Sequence, residues 1–202
     1  GYMVAGTSLP AFGNPHPLSF MRLVPHQEAP TSLCWSFSNR SALVRVPLGW
    51  LKHMDMAAKC NPLEKAQDKD FSYKQTFEWR ASDGFADTYL LMAALCCAAR
   101  HGFEMPDALA VADKTYVGLG VNIHDEKNRA VQEALEQLPG CCVEAAKELE
   151  KDRAIYTSRG VFSDNIVDYL IKFLTDFHDE TLRSQLDSKG LLKLVEESID
   201  KG

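Results

Sequence analysis

The apolar residues of this chain change their spacing once, near Asp87, and that change limits the folds open to it. Before it, the segments TSLCWSF (31–37), SALVRVPLGW (41–50) and FSYKQTFEWRA (71–81) are short, rich in β-branched and aromatic residues, and bounded by residues such as Asn39 and Pro47. In the third, Tyr73, Gln75, Phe77 and Trp79 alternate with Lys74, Thr76, Glu78 and Arg80, the period of two that a strand imposes. After it the spacing is helical. DTYLLMAALCCAARHG offers Asp87 as N-cap, Arg100 and His101 in the last turn, and Gly102 where a left-handed C-cap residue belongs. That helix is apolar nearly all round, which predicts burial. LPGCCVEAAKELEKDRAIY and DNIVDYLIKFLTDFHDE predict amphipathic helices, the second with Ile166, Tyr169, Leu170, Phe173, Leu174 and Phe177 on its apolar side. GLLKLVEESI (190–199) predicts one more. Strands followed by helices predict an α+β fold rather than alternating βαβ units. Pro10, Pro15 and Pro17, with Gly6, Gly13 and Asn14, predict turns and extended chain over the first 20 residues, which read as if they begin inside a structure. Residues 52–69 are polar and mixed, and read as a surface connection.

Composition removes several classes of partner. The 202 residues are 46% hydrophobic with a formal charge of -6, and no cluster of Lys and Arg is interleaved with aromatics, which excludes nucleic acid. The longest apolar run, Tyr89 to Ala99, falls short of the roughly 18 residues of a membrane span, so no membrane partner is expected. Four of the six cysteines form the adjacent pairs Cys96–Cys97 and Cys141–Cys142, without the spacing of a zinc site, so they are expected to pack as small hydrophobes. With no signal sequence in view, reduced thiols and a cytoplasmic location follow. The histidines are scattered without ligand spacing, and VGLGVN (117–122) reads as a turn.

The chemistry concentrates in RLVPHQEAPTSLCWSFSNRSALVRVP (22–47), where three arginines accompany one carboxylate, Glu28. Arginine stays charged at any working pH, so this stretch needs an anion from elsewhere, either other carboxylates or a phosphate-bearing ligand. Pro25 and Pro30 stiffen the loop that projects Glu28. In the last strand, Glu78 and Arg80 are two apart and share a face. They can simply pair with each other, for about 0–1 kcal/mol if exposed. If Arg40 and Arg45 share the sheet, positive charge exceeds what Glu78 neutralises, and the set suits phosphate handled through a metal. Arg40 and Arg45 are five apart, so they reach one pocket only if a turn intervenes or Arg40 precedes the strand.

In order, FGNPHPLSFMRLVPHQEAP, NRSALVRVP and FEWR resemble the C-terminal half of the glutamine synthetase family. SDGFADTYLLMAALCCAARHG and LPGCCVEAAKELEKD resemble its buried alanine-rich helix and C-terminal helices, so the resemblance covers nearly the whole chain. It implies the C-terminal part of that family's catalytic domain: an antiparallel sheet portion and active-site loops over 1–84, then mainly helices over 85–202. It implies ATP and Mg²⁺ or Mn²⁺ as cofactors, glutamate and ammonia or another amine as substrates, and self-association of the full-length protein. Residue by residue, it gives Glu28 the flap carboxylate that takes a proton from ammonium. Arg22 and Arg80 hold substrate carboxylates, Arg40 stabilises the transferring phosphate, Arg45 binds nucleotide phosphates, and Glu78 ligates a divalent cation. Thr76 stands where many members carry arginine, leaving Lys74 to supply that nucleotide contact. PHQEAP places His26 and Gln27 where the family has glycine and an aromatic residue, which admits a ligase for a larger amine. A non-catalytic relative kept for assembly or binding is the third reading; the joint presence of Glu28, Arg40, Glu78 and Arg80 argues against it. The family's other metal ligands have no counterpart here, so the 202 residues alone are expected to be inactive.

Overall fold

A computed structural model describes residues 1–24, 29–47, 56–65, 76–185, 190, 193, 195 and 196. Two short helices, α1 (Pro10–Gly13) and α2 (Pro17–Met21), replace the expected turns and extended chain. Proline at the first helical position loses no hydrogen bond, because that N–H has no helical partner anyway. His16 before Pro17 is extended at φ -144°, as a residue preceding proline must be, and its Nδ1 accepts the Leu18 N–H at 3.2 Å. The prolines that forbid a long helix therefore start two short ones.

Among the described residues the sheet has three strands, β1 (Trp35–Phe37), β2 (Val44–Val46) and β3 (Glu78–Trp79), in that order. The β2–β3 pair is antiparallel as expected, whereas β1 runs parallel to β2, with Trp35 opposite Val44. Strands this short rise only about 10 Å, so the residues between them return the chain without a crossover helix. Ser38, at φ 52°, begins the reversal. Asn39 anchors it: Oδ1 accepts from the Ser41 amide (3.0 Å) and hydroxyl (2.8 Å), and Nδ2 donates to the Val121 carbonyl (2.6 Å). The alternation over Tyr73 to Gln75 lies outside the described residues.

A short helix, α3 (Met56–Cys60), interrupts the surface connection. Helix α4 (Thr88–Glu104) starts as expected, the Asp87 carboxylate accepting the amides of Tyr89 (2.9 Å) and Leu90 (3.0 Å). It does not stop at Gly102, which is helical; a side chain there would collide with the backbone nitrogen of Gly1, so this glycine serves a close approach rather than a cap. Nor is α4 buried all round. Only Ala94, Cys97 and Ala98 are fully covered, while Tyr89 is 89% and Phe103 92% exposed. Helix α5 (Ala108–Thr115) buries no residue, and α6 (Arg129–Ala134) follows a 3-10 turn at Glu126–Asn128. VGLGVN is a turn, with Gly120 at φ 77°.

Helices α7 (Cys142–Lys151), α8 (Arg153–Thr157), α9 (Asp164–Thr175) and α10 (Leu182–Gln185) follow. On α9 the buried stripe is Val167, Leu170 and Leu174; Ile166, Tyr169 and Phe173, expected inward, lie on an adjacent uncovered face, where Tyr169 stacks on Phe173. Of GLLKLVEESI, Gly190, Lys193, Val195 and Glu196 are described, and they are helical. The main core joins Leu9, Phe12 and Phe20 to Leu149, Tyr156, Phe162, Val167 and Leu174. Phe12 lies 4.7 Å from the Tyr156 ring and 5.1 Å from that of Phe162, and the Tyr156 hydroxyl meets Ser8 Oγ at 2.7 Å. Asp179, beyond α9, folds back to cap α7, accepting the amides of Cys142 (2.9 Å) and Val143 (3.2 Å).

No cysteine is in a disulfide, and Cys34, Cys97, Cys141 and Cys142 are buried, as packing residues should be. Burial pushes the Cys34 and Cys141 thiols up to about 11. Among the described residues no helix is long and apolar enough to cross a membrane.

Candidate functional site

The site is assembled on β2 and β3. Val44 and Val46 turn into the core, which puts Arg45 on the opposite face, and the antiparallel register sets Arg45 across from Glu78. The pairing continues one residue past β3, where the Arg80 amide donates to the Leu43 carbonyl at 3.0 Å. Glu78 and Arg80 therefore share a face. The Arg45 Nε lies 2.5 Å from Glu78 Oε2 and the Arg80 Nε 3.7 Å from Oε1. The Arg45–Glu78 contact is one of charge alone, because its N–H is not aligned on the oxygen and neither atom has a hydrogen-bond partner.

Arg22 joins this group from the end of α2. Its Nη2 donates to the carbonyl of Ala81, the residue after Arg80, and to Asn14 Oδ1 at 3.3 Å. Asn14 is fully buried and held in turn by its own Nδ2, which donates to the Pro10 carbonyl at 3.1 Å. Burial lowers the Arg22 pKa from its ordinary value, and the negative charge of Asp83 works against that shift. Sequence reasoning read Asn14 as a turn former and missed its hold on Arg22; the signal was an asparagine in a segment otherwise apolar enough to be core.

Two guanidinium groups, those of Arg45 and Arg80, thus pair with one carboxylate, and a third, that of Arg22, is held at the carbonyl just past Arg80. The Glu78 side chain is 41% exposed, so its ion pairs contribute about 0–1 kcal/mol each and the fold does not depend on them. Arg80, only 12% exposed, spends Nη1 on the Ala42 carbonyl at 3.4 Å. The result is a partly sheltered group of guanidinium donors of the kind that binds carboxylate or phosphoryl oxygens.

The other expected site residues fall elsewhere. Arg40 is exposed on the turn before β2, outside the strand pair, which resolves the parity problem raised by its five-residue separation from Arg45. Glu28 and Lys74 lie outside the described residues. Among the described residues, no three His, Cys, Asp or Glu are grouped to hold a metal ion. Glu78 offers a buried oxygen without a hydrogen-bond partner, suitable as one ligand, but the side chains described around it do not make up a divalent site.

Residues 1–180 match the family model described as "Glutamine synthetase, catalytic domain". The chain is 30% identical over 193 residues to glutamine synthetase of Pyrococcus horikoshii, covering 96% of this chain and 37% of that protein. It is 32% identical over 180 residues to glutamine synthetase of Azotobacter vinelandii, covering 87% and 32%. It therefore spans about a third of these relatives. Among solved structures, it is similar in fold to a GmaS/ADP complex (TM-score 0.60, 21% identity, 96% of this chain and 38% of that one). A second is Plasmodium falciparum glutamine synthetase (TM-score 0.59, 21% identity, 93% and 39%).

Proposed function

Because the chain belongs to the glutamine synthetase catalytic-domain family, we propose that it is the C-terminal part of an ATP-dependent ligase that joins ammonia to glutamate through γ-glutamyl phosphate. The observation that carries this reading is the strand register that sets Arg45 and Arg80 on Glu78, with Arg22 bonded to the Ala81 carbonyl just past Arg80.

In the first step the glutamate side-chain carboxylate attacks the γ-phosphorus of ATP, the bond to the bridging oxygen breaks, and ADP leaves. In the second, ammonia attacks the acyl carbon, the bond to the phosphate oxygen breaks, and phosphate departs with its electron pair. Both transition states spread negative charge over oxygens, so cations already in place stabilise them more than the ground state. Arg22 and Arg80 hold substrate carboxylates, Arg40 and Arg45 face transferring and nucleotide phosphates, Lys74 adds a nucleotide contact, and Glu28 takes the proton released from ammonium. Glu78 would supply one ligand to a divalent cation, Mg²⁺ or Mn²⁺, which would neutralise phosphate charge on ATP. Companion ligands are not grouped with it among the described residues. The 202 residues alone are accordingly expected to be inactive, and the full-length protein to self-associate in the cytoplasm.

The test is ADP formation by the full-length protein, assayed with glutamate and ammonium together and with each omitted. Turnover requiring both, reduced at least about a hundredfold by Arg80→Gln, supports the ligase. Glutamate-dependent turnover that responds to a larger amine and not to ammonium would favour the second reading, which rests on His26 and Gln27. Absence of glutamate-dependent turnover with every amine leaves the non-catalytic relative.

A further inference from the structure

We propose that Arg183 is a positioning residue for Arg22 and, through it, for the carboxylate substrate; this rests on the ligase reading above. Arg183 lies on α10, just past the residues that match the family model. Its Nη2 donates to the carbonyl oxygens of Phe20 (2.7 Å), Gly140 (3.1 Å) and, more weakly, Leu23 (3.5 Å). Phe20 and Leu23 bracket Arg22. The Phe20 oxygen also accepts the backbone amides of Arg22 and Leu23 (3.0 Å), so it is the point on which the whole turn hangs.

Carbonyls in the last turn of a helix have no partner further along it, and a cation is the strongest donor available to them. The Phe20 and Leu23 side chains are packed in the core, whereas a cavity of about 190 Å³ opens beside the clamp, lined by Leu23, Thr31, Leu138, Gly140 and Arg183 itself, so on that side the guanidinium holds the carbonyls. What the clamp fixes is the start of a long reach. The Arg22 side chain must extend from this turn to the Ala81 carbonyl, next to Arg80, for the two guanidinium groups to face one substrate. A displacement of about 1 Å at the turn is enough to spoil a two-point grip on a carboxylate.

The experiment measures kcat and the KM values for glutamate and ATP on full-length protein carrying Arg183→Gln or Arg183→Lys, with melting temperatures alongside. Arg183→Gln is expected to raise the KM for glutamate about tenfold while the KM for ATP and kcat stay within about twofold. Arg183→Lys keeps the charge without the fork and should raise it about threefold, which preserves the test if the glutamine variant fails to fold. In an Arg22→Gln background the Arg183→Gln effect should vanish, since the two act through one path. A merely structural residue would lower the melting temperature and the active fraction without changing the KM for glutamate. Active wild type with an unchanged KM for glutamate in the Arg183 variants overturns this inference alone. Wild type without glutamate-dependent turnover overturns the ligase reading on which it rests.

Discussion

Asp179 makes the sharpest prediction about what holds the helical half together. Its side chain sits at 4% residual exposure, and its two oxygens take the Cys142 and Val143 amides at 2.9 and 3.2 Å. These are the first amides of α7, which no carbonyl within the helix can reach. Water cannot replace the carboxylate, since Cys142 is 0% and Val143 4% exposed. Asp179→Ala therefore strands two buried donors at about 1–3 kcal/mol each, or about 3 kcal/mol together. Converted to local opening, that is on the order of a hundredfold faster amide exchange along α7. Asp179→Asn keeps one acceptor and turns the other toward an N–H, so about half the loss, roughly tenfold, is expected. Hydrogen exchange by mass spectrometry on the peptide covering 141–151, in intact protein, reads both numbers. Unchanged exchange in Asp179→Ala would refute the assignment of this carboxylate as the cap that α7 requires.

Three further outcomes follow from burial. Desolvation raises the Asp152 pKa above 3.8, with the Ser8 hydroxyl opposing it, so the folded state keeps a proton that the unfolded chain has already lost. Stability should then fall as pH rises from about 4 through that raised value; Asp152→Asn should remove the slope and exceed wild type at pH 7 in urea unfolding, and equal slopes would contradict this. Iodoacetamide at pH 8 should label Cys60 and Cys96, which are exposed, and spare Cys34 and Cys141, whose thiols ionise only near 11, as peptide mass spectrometry can check. Gly102→Ala gains about 1 kcal/mol of helix propensity but meets the backbone of Gly1, an overpacking cost of about 1–3 kcal/mol, so a lower melting temperature is expected.

Much of this was legible in the sequence because it depended on neighbours in the chain. The Asp87 cap needs only the amides two and three residues on, and the shared face of Glu78 and Arg80 needs only the pleat. The parts that were not legible depend on what covers a residue. Proline at positions 10 and 17 means either a turn or a helix start; the His16 cap decides for Pro17, while α1 starts at Pro10 with no side-chain cap. The apolar surface of α4 and the second aromatic face of α9 look like core by composition, yet this chain covers only one stripe of each. Gly102, Asp179 and Arg183 act on partners 36 to 163 residues away, distances at which no local pattern speaks.

The uncovered side of α4 and α5 also governs how the chain behaves in a test tube. Tyr89, Met92, Phe103 and Leu109 present apolar groups to water, against a formal charge of only -6 to keep copies apart. Added salt screens that repulsion while leaving apolar contact undiminished, and sulfate strengthens it. Preparations of these 202 residues should thus scatter more light as ammonium sulfate rises and clear on dilution into low-salt buffer, the reverse of an assembly held by ion pairs.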